Sequence, residues 1–134
     1  MSSRPIYEKF GQTKKAWDAY KAEAREHMAT AAGKRRMITY SELAFMMTSV
    51  QVQAHDQMLW DIIGDVAGDE ATAGRGLLSV VVVHKHGDMQ PGPGFFELAK
   101  YFKRQTSDRT RCFIDELNKV HHYWSVTHPN RIGL

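Results

Sequence analysis

Ile38-Thr39-Tyr40-Ser41-Glu42-Leu43-Ala44 and Pro91-Gly92-Pro93-Gly94-Phe95-Phe96-Glu97-Leu98-Ala99-Lys100 bracket the part of the chain that decides the fold. Thr39 and Glu42 have the spacing of a capping box, in which a hydroxyl and a carboxylate satisfy open N–H groups at a helix start. Between the brackets, Leu59, Ile62, Ile63 and Val66 recur at helical spacing. They predict a helix that starts near His55 or Asp56, with Asp56 as N-cap, and is broken by Gly68 and the polar run to Gly76. Thr48 to Ala54 reads either as the turn before it or as an extension of the second helix. The run Leu77-Leu78-Ser79-Val80-Val81-Val82-Val83 is short, rich in β-branched residues and preceded by glycine, which predicts a strand buried on both faces. His84 to Gly94 is a glycine- and proline-rich loop whose backbone calls for positive φ. Phe95 to about Arg104 then closes the segment as a helix.

Working outward, Gln12 to Ala32 predicts a helix with Trp17, Tyr20, Ala24 and Met28 on one face, ended by Gly33. Its Trp17 and Tyr20 stripe either closes the core or forms a dimer seam. Ser107 or Asp108 caps a last helix through about Tyr123, with Phe113, Ile114, Leu117, Val120 and Trp124 as its apolar stripe. Thr127 to Leu134 reads as a loose tail. The order helix, helix, strand, loop and helix predicts one mostly α-helical, winged-helix-like domain over residues 1–134. A helix-turn-helix with a short strand and wing fills about 34–104, with additional helices at about 12–32 and 108–124.

At 134 residues the chain has the size of one domain. No apolar stretch reaches the roughly 18 residues a membrane span needs, and the charged start does not resemble a signal peptide. With a lone Cys112, which has no disulfide or metal-ligand partner, this points to a cytoplasmic protein. The net charge of +3 is mildly basic. Lys34-Arg35-Arg36 precedes the capping box, and Lys100, Lys103, Arg104, Arg109 and Arg111 gather near the last helix, whereas Asp61, Asp65, Asp69 and Glu70 make the middle acidic.

The Thr39-Tyr40-x-Glu42-Leu43-Ala44 helix start, second helix, apolar strand, glycine-containing loop and closing helix resemble the DNA-binding domain of the alkylguanine-DNA alkyltransferases and alkyltransferase-like proteins, over roughly Ile38 to Arg104. The resemblance implies a winged helix and a DNA partner, with Tyr40 lying against the DNA backbone near an extruded nucleotide. The chain departs from that family where the chemistry sits. The Pro-Cys-His-Arg motif that supplies the reactive thiolate is replaced by the run from Leu77 to Val83, with no nucleophile beside a base. The arginine that the family inserts into the base stack is missing too. The expectation is a DNA-binding protein without alkyl-transfer activity and without a cofactor.

In a helix-turn-helix the second helix approaches base edges with its first turn while neighbouring cations hold phosphates. Gln51, Gln53, His55 and Gln57 are then candidates for base contacts, and Lys34, Arg35, Arg36 and Arg75 for phosphates. Asp61, Asp65 and Asp69 on the same helix oppose deep insertion, because they would enter a negative potential. A second reading is a protein-interaction module that docks through the loop 87–96. There Pro91, Gly92, Pro93 and Gly94 form a cradle before Phe95 and Phe96, which cannot both face inward, so that one is exposed or covers a neighbour. A homodimer is a further possibility. A third reading is a histidine-dependent metal enzyme using His84 and His86 at the strand end or His121, His122 and His128 near the C-terminus. Cys112 lies beside cations that can lower a thiol pKa.

Overall fold

The computed structural model describes residues 4–85 and 89–127. After a 3-10 turn at Ile6–Phe10, helix α1 spans Lys14–Gly33, strand β1 Ile38–Thr39 and helix α2 Tyr40–Met46. Helix α3 covers Gln57–Thr72, a second 3-10 turn Leu78–Val81 and strand β2 Val82–Val83. Helices α4, Pro93–Tyr101, and α5, Arg109–Thr127, complete the described chain. The architecture is mostly helical around a two-stranded parallel sheet, with Ile38 opposite Val82 and Thr39 opposite Val83.

Local chemistry sets most boundaries. Thr13 caps α1 by accepting the Ala16 N–H at 3.1 Å. The capping box at α2 is complete: Thr39 Oγ1 accepts from Glu42 N at 3.1 Å, and Glu42 Oε1 accepts from Thr39 N at 2.8 Å. Asp56 stands at the N-cap position of α3, but its carboxylate turns back to accept the Gln53 N–H at 2.8 Å. Asp108 accepts the Arg111 N–H at 3.0 Å where α5 begins.

Helix α3 passes Gly68 and ends at Thr72, inside the expected run to Gly76; one helical glycine costs only about 1 kcal/mol, and the flanking Val66, Ala67 and Glu70 are all buried. Two expectations need correction. The run from Leu77 to Val83 is buried throughout, yet only Val82 and Val83 are strand. Its partner β1 is two residues long, so the preceding residues have no ladder to join and wind into a 3-10 turn. Finally, Phe95 and Phe96 are both buried, with rings edge to face at 5.1 Å. Phe96 lies under the Arg109 guanidinium, 4.8 Å from its centroid, so α4 is covered on two sides.

The core places the second 3-10 turn beneath α1, α3 and α5, while β2 packs against β1 and α2. Trp17 is fully buried and its Nε1 donates to Asp65 at 2.8 Å, so its stripe closes the core. In α5, Phe113, Val120 and Trp124 are buried, whereas Ile114 faces solvent. Two buried glutamates tie the layers together. Glu70 of α3 accepts from Arg25 at 3.0 Å and from Arg75 at 2.7 and 2.8 Å. Burial raises the Glu70 pKa, and the two guanidiniums overcome that and hold it below the ordinary carboxylate value. Glu116 of α5 takes both ends of Arg104 at 3.0 Å and the Leu77 N–H at 2.8 Å, fixing α5 against the start of the buried run.

Candidate functional site

A cleft of about 690 Å³ opens between the first half of α3 and the start of α4, with Tyr40 and His84 on its wall. The fold brings these residues together through the sheet. Tyr40 is the first residue of α2, directly after β1, and His84 directly follows β2. Their rings sit 5.1 Å apart. The Tyr40 hydroxyl accepts the Gly92 N–H at 3.2 Å and leaves its own proton to donate. Burial raises the Tyr40 pKa above that of an ordinary tyrosine, against a smaller opposing effect of the Gly92 hydrogen bond, so the hydroxyl keeps its proton at neutral pH.

Gly92 is the N-cap of α4, with Pro93 as the first helical residue and no side-chain cap. Its φ of −70° is open to any residue; a Cβ there would stand 3.2 Å from His84 Nε2 and 3.4 Å from the Tyr40 hydroxyl. Glycine is needed for close approach, then, and among the described residues of this loop the positive φ falls on Met89 at 57°. The loop is closed by His84 N donating to the Gln90 carbonyl at 3.0 Å.

The cleft floor contains Ile63, Phe95 and Ser79. Ser79 is 6% exposed, and its Oγ has no hydrogen-bond partner among the described residues. Trp60 and Tyr101 stand on the rim, 43% and 74% exposed. Asp61 and Asp65 also border the cleft, but their charges are matched within the molecule. Lys9 Nζ lies 2.8 Å from Asp61, which also accepts from Gln57 Nε2 at 2.8 Å. Asp65 takes the Trp17 indole and lies 3.5 Å from Lys21 Nζ, which reaches Asp69 at 2.6 Å.

Sequence reasoning singled out Tyr40, Gly92, Pro93, Gly94 and Phe95 for other purposes, and all border this cleft. Ser79, Trp60 and Tyr101 were missed. The available signal for Ser79 was its polarity inside an otherwise aliphatic run. Pro91 and Phe96 are buried, so neither presents a docking surface.

Of the expected DNA contacts, Tyr40 and Gln57 border this cleft and the others lie elsewhere. Lys34, Arg35 and Arg36 are exposed beyond the end of α1 and make no ion pair among the described residues. Arg75, by contrast, has its guanidinium on Glu70 and is not a free phosphate ligand. Gln51, Gln53 and His55 are exposed on the connection 47–56, and Gln57 opens α3. That connection is longer than the roughly three or four residues of a tight helix-turn-helix.

The remaining candidates separate as well. His121 is buried and its Nε2 donates to the Arg36 carbonyl at 3.0 Å. Desolvation lowers its pKa. His122 is exposed, and His86 and His128 lie outside the described residues, as does the tail beyond Thr127. Among the described residues no group of three potential ligands gathers to hold a metal. Cys112 is buried and its thiol pKa is raised by that burial, which outweighs Arg104, so the neighbouring cations do not activate it. No described helix is long and apolar enough to cross a membrane. Comparison with family models, curated proteins and solved structures finds no match to the chain.

Proposed function

We propose that the chain is a non-enzymatic DNA-binding protein that uses a winged-helix-like scaffold on double-stranded DNA. The observation that carries this reading is the exposed, unpaired run Lys34-Arg35-Arg36 next to β1 and Tyr40. Lys9, Lys21, Arg25, Arg75 and Arg104, by contrast, are neutralised by carboxylates. Three consecutive free cations are the natural phosphate contact. Gln51, Gln53, His55 and Gln57 form the exposed approach to α3 and supply amide and imidazole groups suited to base edges. Pairing of Asp61, Asp65 and Asp69 with Lys9 and Lys21 also reduces the repulsion that would keep α3 from a phosphate backbone. On this reading the segment after β2, where His84 N donates to the Gln90 carbonyl, would serve as the wing.

Amide-resolved NMR with a short duplex tests the arrangement. The expected shifts concentrate on 34–36, 40 and 51–57, and spare the exposed outer face of α5. Shifts confined to α5, or none at low salt, would reject it.

A further inference from the structure

The cleft holds three hydrogen-bond donors, of which the DNA reading uses only Tyr40. Ser79 Oγ is buried without a partner on its floor. Such a group is costly to maintain in an apolar interior unless something else bonds to it. At the same cleft, α4 presents an uncapped N-terminus. Gly92 has no side chain to cap it and Pro93 has no N–H, so the Gly94 amide is the first open donor of a nine-residue helix. Tyr40 contributes a third donor, since its oxygen already accepts from Gly92.

The rest of the cleft has a different character. Trp60 and Tyr101 expose aromatic faces on the rim, while Ile63 and Phe95 line the interior. Its volume of about 690 Å³ falls within the roughly 300–1,000 Å³ range of small-molecule sites. Asp61 and Asp65 carry matched charges. Glu97 is the acidic wall residue without an ion pair among the described residues, and it lies exposed at the solvent edge.

We propose that this cleft binds a small organic carboxylate with an aromatic body, the carboxylate accepting from Ser79 Oγ, Gly94 N and the Tyr40 hydroxyl and the ring lying against Trp60 and Tyr101. This assignment does not depend on DNA binding. It accounts for the orphan hydroxyl, for the proline and glycines at the start of α4, and for two exposed aromatic rings at one opening.

Phenylacetate is the probe, compared with phenethylamine, which has the same ring and the opposite charge. Heteronuclear NMR titration of the whole chain should show saturable shifts at Gly94, Ser79 and the Trp60 indole with phenylacetate and none with phenethylamine. Ser79→Ala should weaken phenylacetate about 10- to 100-fold, in line with a lost hydrogen bond to a charged group. The same variant should raise the melting temperature of the free protein by about 2 to 6 °C, because it removes a buried unsatisfied hydroxyl. Glu97→Gln should tighten phenylacetate by relieving repulsion at the rim. Preference for the amine, absence of any saturable shift, or equal affinity of wild type and Ser79→Ala would each overturn the assignment.

Discussion

Glu23 is the side chain in which sequence, packing and pH response are most closely joined. On α1 it accepts from the backbone and hydroxyl of Thr48 at 2.8 to 3.0 Å and from those of Ser49 at 2.8 and 2.6 Å. Its single carboxylate therefore ties the exit of α2 to α1. Burial pushes its pKa up, but the hydrogen bonds from Ser49 and Thr48, with a further contribution from His27, bring it down to about 2. For a carboxylate with a depressed folded pKa, the stabilisation is complete above the unfolded value of about 4.5 and disappears as pH falls through the folded value near 2. Glu23→Ala is expected to cost about 1 to 2 kcal/mol at neutral pH, and urea unfolding should show the difference shrinking between about pH 4.5 and 2. A constant difference across that range would assign the loss to packing instead. Nothing in the sequence marked Glu23, because the partners that matter are 25 and 26 residues away.

At the scale of elements, local signals were legible and tertiary constraints were not. The Thr39 and Glu42 capping box, the helix of Trp17 and Met28 and the start of α5 near Asp108 were all readable from spacing and capping chemistry. The length of β2 was not, because it is set by how much of β1 is available for pairing. The burial of both Phe95 and Phe96 also escaped prediction, as it depends on Arg109 reaching over from another helix. Likewise the sequence singled out Tyr40, for a DNA contact, but not Ser79, which becomes notable only when α3 and α4 leave a cleft above it. Glu116 illustrates the same dependence. Removing one partner of its buried pair, as in Arg104→Ala, leaves an uncompensated carboxylate and is expected to cost about 3 kcal/mol, whereas the double variant Arg104→Met/Glu116→Leu should lose less than the sum of the two single changes. A double-mutant cycle by chemical denaturation measures the coupling, and strict additivity would argue against it. Gly76→Ala belongs to the same junction. At φ +90°, with its Cβ 3.0 Å from Val120 Cγ2 and 3.4 Å from Glu116 Oε2, it should destabilise by about 1 to 3 kcal/mol.

Across the whole molecule, charge is distributed in two ways. Acidic α3 is wrapped by cations of the N-terminal segment, whose charges are thereby spent inside the protein. The Lys34-Arg35-Arg36 run stays exposed and unpaired among the described residues. The net charge of +3 concealed this difference; pairing in three dimensions separates structural cations from available ones. The most direct test of the proposed DNA binding is fluorescence anisotropy with a labelled random duplex at about 50 and 200 mM salt, using the wild type and a Lys34→Ala/Arg35→Ala/Arg36→Ala variant. The account predicts binding that weakens at least about tenfold over that salt range and a variant with lower affinity and a shallower salt slope. Equal binding by both proteins, or no binding at the lower salt, would contradict it.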